Sequence, residues 1–203
     1  MMLNVFCRLN SARRTILLVI ALLLCPFLLA SALYWFEWRP ATLSNHGMLI
    51  QPPKAMPENG LRQLGSAQLP PPSLRGKWLL VLVNPASCEL ECVQALQQSR
   101  QVQVSLNKEM VRLQRVLLIT GAVHQPLDSS VFSKLHQQFP DLLLLRPDDT
   151  PQGVLWRETL QSNVQRFYVV DPLGNAMMVY PEKFDVQGMR QDLERLLKYS
   201  WIG

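Results

Sequence analysis

The sequence predicts an α/β fold, a central mixed sheet flanked by helices, behind a single N-terminal transmembrane helix. Three observations lead there. An uncharged apolar run lies near the N-terminus; short apolar runs alternate with helical patterns from Trp78 onward; and Cys88 and Cys92, four residues apart, sit where the first of these runs gives way to a helix.

The 203 residues are 48% hydrophobic and 17% charged. Soluble domains usually carry more charge, so the composition suits one globular domain plus a lipid-facing segment. From Thr15 to Tyr34 no residue is charged, which is about the twenty residues that crossing a bilayer requires. Arg8, Arg13 and Arg14 precede the run, whereas Glu37 and Arg39 nearly balance after it. The positive-inside rule then keeps the N-terminus cytoplasmic and exports everything beyond Tyr34, so the chain is expected in the inner (cytoplasmic) membrane with a periplasmic domain. Ala30-Ser31-Ala32 also fits a signal-peptide cleavage site. The anchor is the stronger reading, because apolar residues continue past it into the interfacial aromatics Tyr34, Trp35, Phe36 and Trp38. The expected organisation is a cytoplasmic N-terminus at 1–14, a transmembrane anchor at 15–36, a Pro/Gly-rich linker at 37–73 and the exported domain at 74–203.

That linker holds Pro52-Pro53, Pro57, Gly60, Gly65 and Pro70-Pro71-Pro72, a composition that favours extended, unpacked chain. Within it His46 lies in a turn signal and reads as a surface residue, with metal ligation or a partner contact as the rival role. The domain opens on a strand from Trp78 to Val83, apolar throughout and so buried on both faces. A helix from Glu89 to about Leu106 follows, with Leu90, Val93, Leu96 and Val102 inward. Val116 to Thr120 is a second buried strand. Asp128 or Ser129 caps the next helix, which turns Val131, Phe132, Leu135 and Phe139 inward and stops at Pro140. Leu142 to Leu145 is a third apolar run. The pattern then lapses from Arg146 to about Asn163, except for a short helix near Val154 to Gln161. Arg166–Val170 and Ala176–Tyr180 form a hairpin around Asp171-Pro172-Leu173-Gly174-Asn175, and a last helix begins at Asp185 with Met189, Leu193, Leu196 and Leu197 on one face.

A βαβ unit followed by a ββα unit, with a two-cysteine turn after the first strand, is the order of a thioredoxin-like domain. Ligand and reaction sites of such folds gather at that turn, at the carboxyl end of a strand and the amino end of a helix. Of the four cysteines, Cys7 falls on the cytoplasmic side and Cys25 inside the membrane. Leu24 before Cys25 fits a lipidation site poorly. Cys88 and Cys92 reach the exported domain, where an oxidising compartment makes a disulfide their default state. With Cys88 at the helix cap and Cys92 one turn in, their Cα atoms fall about 6 Å apart, within disulfide range. The same sulfurs suit a soft metal ion. A helix N-terminus stabilises a thiolate at Cys88 by roughly 0.3 to 1 kcal/mol, and Glu89 and Glu91 oppose it. Inert disulfide, reversible dithiol exchange and copper contact therefore all stay open for the pair.

The chain resembles the Sco/SenC family of membrane-anchored, thioredoxin-like proteins that assist assembly of the copper centre of cytochrome c oxidase. The resemblance covers the anchor and roughly residues 74–198. It rests on Gly76-Lys77-Trp78, on Cys88-x-x-x-Cys92, and on Phe167-Tyr168-Val169-Val170-Asp171-Pro172-Leu173-Gly174. It implies catalytic or copper-binding roles for Cys88 and Cys92, and a cytochrome oxidase subunit or a copper chaperone as partner. The family's histidine ligand has no counterpart: its place falls near Asn163, and no histidine follows His136. The prolines that usually follow the cysteines are replaced by Glu89 and Val93. Losing the imidazole weakens copper retention, Cu(II) most of all. His124 and His136 are substitutes in principle but read as surface residues.

Other function classes find little support. The net charge of +5 is dispersed and partly belongs to the topology signal, so no nucleic-acid role is expected. There is no Ser-His-Asp set, Gly-rich phosphate loop or paired-histidine zinc motif. Beside the Sco-like reading stand a general exported thiol-disulfide oxidoreductase and a binding scaffold with relic cysteines.

Overall fold

A computed structural model describes residues 11–36, 45–64, 73–85, 88–121, 129–160 and 164–202. The chain divides into two compact units, one up to Ser44 and one from Asn45.

In the first unit, helix α1 runs over Ser11–Trp35. Its segment Arg13–Trp35 has no buried residue and is long and apolar enough to cross a membrane, which fits a membrane anchor.

The second unit is a seven-stranded mixed sheet. In chain order its elements are β1 (Met48–Ala55), β2 (Leu61–Gln63), β3 (Trp78–Asn84), α2 (Leu90–Ser105), a 3-10 turn (Asn107–Arg112), β4 (Leu113–Ile119), α3 (Ser129–Gln138), β5 (Leu143–Pro147), α4 (Pro151–Thr159), β6 (Arg166–Val170), β7 (Asn175–Tyr180) and α5 (Val186–Tyr199). The strands lie in the order β1-β7-β6-β3-β4-β5-β2. β3, β4 and β5 are parallel, while β6 runs antiparallel to β3 and β7 to β6. β3 is the middle strand and all seven of its residues are buried, as a run that is apolar on both faces requires. This is the thioredoxin-like arrangement expected from the element order.

Two cores lie on the two faces of the sheet. Trp78, Leu80 and Leu82 pack on one face with Cys92 and Leu96 of α2, Phe132 and Leu135 of α3, and Met189, Leu193 and Leu197 of α5. Leu79, Val81 and Val83 pack on the other with Trp156 of α4, Met56 and Leu61. The inner line of α2 is Cys92, Ala95, Leu96, Ser99 and Val102. Leu90, expected inward, is 72% exposed, because two residues of helix rotate a side chain by about 200° and place it opposite Cys92.

The expected linker needs the larger correction. Residues 48–55 and 61–63 of the segment 37–73 are strands at the two edges of the sheet. β1 pairs antiparallel with β7, and β2 with β5. The β1–β7 register breaks between Leu49 and Lys54, where Pro52 and Pro53 offer no N–H; edge strands and bulges are where proline is tolerated. Residues between the strands are packed as well. Met56 is 3% exposed, its N–H donates to the Gly174 carbonyl at 2.8 Å, and Asp148 N–H donates to the Gly60 carbonyl at 2.9 Å.

The two stretches flanking the cysteines in the family resemblance meet each other. Gly76 N–H donates to the Pro172 carbonyl at 2.9 Å, and the Arg75 guanidinium donates to Met56 O at 2.9 Å while lying against Gly174. Gly174 adopts φ +87°, and its N–H closes the turn on Asp171 O at 2.8 Å. This contact lies at the amino end of β3, since Val170 pairs with Leu79. It braces the sheet at the end opposite the cysteines.

Candidate functional site

The cysteine turn begins where β3 ends. Asn84 is buried, and its carbonyl accepts the Thr120 N–H at 3.0 Å, which holds the carboxyl ends of β3 and β4 together. Two residues beyond Pro85 lie outside the described set; the chain resumes at Cys88. Glu89, extended at φ −92° and ψ −166°, is the N-cap of α2, and its carbonyl accepts the Val93 N–H at 3.0 Å. Cys88 therefore sits just outside the helix and Cys92 in its first turn.

The two sulfurs form a disulfide, with Cα atoms 5.1 Å apart. Cys88 is 7% exposed and Cys92 2%, and both belong to the core cluster beneath α2. Glu89 and Glu91, both exposed, put negative charge beside the pair. Opposing these is the amino end of α2, a helix of 16 residues. Leu90, largely exposed, and Val164, 40% exposed, are apolar residues at this end of the sheet. Val164 lies here because Arg166 pairs with Val83, so the residues before Arg166 extend beyond the end of β3.

Of the histidines named above, His136 lies in the last turn of α3 and is exposed. His124 and Asn163 fall outside the described residues. Among the described residues no three His, Cys, Asp or Glu side chains are placed to hold a metal ion together. The donor set at the turn is thus two sulfurs, with no third ligand among the described residues. Cys25 is a free, exposed cysteine of α1, and Cys7 lies outside the described residues.

A second polar centre was not singled out from the sequence. Asp192 of α5 is 3% exposed and accepts four contacts. His46 N–H and Gly47 N–H donate to Oδ2 at 2.8 and 2.9 Å, the Tyr180 hydroxyl donates to the same oxygen at 2.9 Å, and His46 Nδ1 lies 3.4 Å from Oδ1. His46 is therefore neither free nor near the cysteines along the chain. Its ring packs where a Cβ on Gly188 would stand, and a Cβ on Gly47 would meet Met178 Sδ at 2.6 Å. Burial, reinforced by the Asp192 charge and hydrogen bond, raises the Tyr180 phenol well above its ordinary range. The signal for this centre was a carboxylate on the inward face of α5, three residues after Met189 and next to Leu193.

The comparisons agree with this geometry. The family described as transmembrane-like, thioredoxin-like, C-terminal domain matches residues 78–200. No curated protein matches the chain. Among solved structures, yeast Sco1 with copper bound superposes with a TM-score of 0.51 at 17% identity, covering 63% of this chain and 82% of that one. A second structure of yeast Sco1 gives 0.51, 17%, 63% and 83%. BsSco, a member of the Sco family of cytochrome c oxidase assembly proteins in which a disulfide switch is identified, gives 0.54 at 13% identity, with 73% and 96% covered. At such identities the likeness establishes the fold. The family match spans more than half of the residues and contains the cysteine turn, the middle of the sheet and α5, so the chain belongs to the transmembrane-like, thioredoxin-like C-terminal domain family.

Proposed function

We propose that this protein is a membrane-anchored, Sco-like factor that assists respiratory cytochrome c oxidase biogenesis from the exported side of the inner membrane through Cys88 and Cys92. The observation that carries the reading is the Cys88–Cys92 disulfide at the carboxyl end of the middle strand and the amino end of α2. The likeness to BsSco, a cytochrome c oxidase assembly protein with a disulfide switch, supports the pathway. In the exchange, a partner thiolate attacks Cys88 Sγ, on the less buried residue of the pair, and Cys92 leaves as a thiolate. A second partner thiol then resolves the mixed disulfide, so that two electrons and two protons reach the pair and the partner dithiol is oxidised. The reduced pair offers two soft donors for Cu(I) as cargo passed to or from an oxidase subunit or a copper chaperone.

Deleting the gene in the source organism is expected to lower oxidase activity. Wild type should restore it, and the Cys88→Ser and Cys92→Ser variants should not. Full rescue by the double variant would leave only the scaffold reading. Redox titration of the full chain separates the remaining cases: a pair that stays oxidised under strong dithiol reductant is structural and overturns the proposal. Cu(I) binding no tighter in the reduced wild type than in either variant removes copper as cargo. The same disulfide favours a general exported thiol-disulfide oxidoreductase as the second reading. Turnover of unrelated dithiol substrates with oxidase activity unchanged in the deletion would select it.

A further inference from the structure

The end of α5 and the 3-10 turn carry an exposed apolar surface that the cysteine chemistry does not use. Tyr199, Trp201 and Ile202 are 70, 100 and 50% exposed, and Met110 and Val111 are 40 and 69% exposed. One guanidinium binds the segments together. Arg112 donates to Leu197 O at 2.8 Å, to Ser200 O and Ile202 O at 3.0 Å each, and to the Glu109 carboxylate at 2.8 Å. Ser200 adds a local turn, its hydroxyl donating to Ile202 O at 2.9 Å. The tail is therefore fastened to the domain by its backbone while its large side chains face water.

Exposed cations stand beside it. Lys108, Arg195 and Lys198 are exposed, and the Lys198 ammonium lies 5.8 Å from the Tyr199 ring. The nearby acids are engaged: Glu109 with Arg112, and Glu194 with Arg190 at 2.9 Å. Tryptophan and tyrosine beside lysine and arginine form the side-chain set that favours a membrane-water interface, with the rings at headgroup depth and the cations on anionic lipid.

We propose that Met110, Val111, Tyr199, Trp201 and Ile202, ringed by Lys108, Arg195 and Lys198, seat the domain on the anionic lipid surface of the membrane that holds its anchor. The inference rests on the anchor reading. The test uses the full chain in lipid nanodiscs, neutral or containing phosphatidylglycerol, with and without brominated acyl chains. Trp201 is read as the difference between wild type and Trp201→Phe. Blue-shifted Trp201 emission, quenched roughly twofold or more by brominated lipid in anionic discs and much less in neutral ones, is expected, with loss of quenching in Lys108→Glu/Lys198→Glu. Emission that stays water-like and open to aqueous quenchers in discs that do contain the chain overturns the proposal and leaves the anchor standing. A chain that fails to enter the discs overturns the anchor and the proposal together. A shift that follows protein concentration at fixed lipid assigns the surface to a second copy of the chain and also overturns it.

Discussion

Cys88 and Cys92 close a loop of only a few residues, so the disulfide removes little freedom from the unfolded chain. On the chain-entropy account the gain for so short a loop is about 2 kcal/mol. Reduction of the wild type and the Cys88→Ser/Cys92→Ser change should therefore each lower the unfolding free energy by about that amount, as read by urea unfolding with and without reductant. A much larger loss would mean that the bond organises the core beneath α2 rather than closing a turn. Asp192 weighs more in the fold. Three donors converge on its Oδ2, and asparagine would turn an N–H₂ toward some of them, so Asp192→Asn should cost about 1–3 kcal/mol. Tyr180 adds a pH signature. Its folded phenol ionises above the ordinary value of 10.0, so its contribution is fully present below that pH. As pH rises past 10.0 the unfolded chain releases the proton and the folded chain keeps it, and stability falls. Tyr180→Phe should remove up to about 1.4 kcal/mol per pH unit of that alkaline slope, measured by denaturation at successive pH values.

At the scale of elements, β4 is joined to α2 by a buried cation. Arg115 is 1% exposed and donates to Leu96 O, Ser99 Oγ and Gln103 Oε1 at 3.1, 3.3 and 2.8 Å, and to the Asp141 carboxylate at 2.9 Å. Its guanidinium carbon also lies 5.7 Å from the centroid of the Phe139 ring. One charge thus fastens α2 and the end of α3 to the sheet. Burial pushes the Asp141 carboxyl up, but the hydrogen bond and charge of Arg115, with Arg100 beyond, outweigh it and hold it below 3.8. Its contribution is present above that pH and lost as pH falls through the lower folded value. Because the Asp141 side chain is 47% exposed, solvent screens the pair. Asp141→Asn should lose up to about 1 kcal/mol at neutral pH, and the variant and wild type should converge in acid. Such elements differ in how far the sequence reveals them. β3, and β4 from Val116 onward, were legible because burial on both faces leaves an apolar run, whereas Gln114 and Arg115 hid the first three residues of β4. α5 was legible because Asp185 caps it, its carboxylate accepting from Gln187 N–H and Gly188 N–H at 3.0 Å each. Arg115 was not, since an arginine inside an apolar run declares its partners only once α2 and Asp141 are in place.

For the whole molecule, the central turn could be read from Cys88 and Cys92 because a short-range disulfide needs only local geometry. The edges could not. β1 has the sequence Met-Leu-Ile-Gln-Pro-Pro-Lys-Ala and is almost wholly exposed, so neither alternation nor burial marks it as a strand, and its pairing with β7 is a contact across more than a hundred residues. Yet the segment closes the domain at both edges. It supplies His46 and Gly47 to Asp192, Met56 and Leu61 to one core, and Asn59 O to the Trp156 indole N–H at 3.1 Å. We therefore expect the independently folding unit to begin near Asn45 rather than at residue 74. A fragment of residues 74–203 would expose the edges of β5 and β7 as unpaired strands, open the core beside Trp156 and take the His46 and Gly47 donors from Asp192, leaving it the Tyr180 hydroxyl. A fragment of residues 45–203 keeps all of these contacts. Size-exclusion chromatography and urea unfolding should show 45–203 as a monomer with one cooperative transition. The shorter fragment should aggregate or unfold several kcal/mol more easily, since each large apolar side chain removed from a core costs about 2–5 kcal/mol. Equal stability of the two fragments would return residues 45–64 to the role of a spacer.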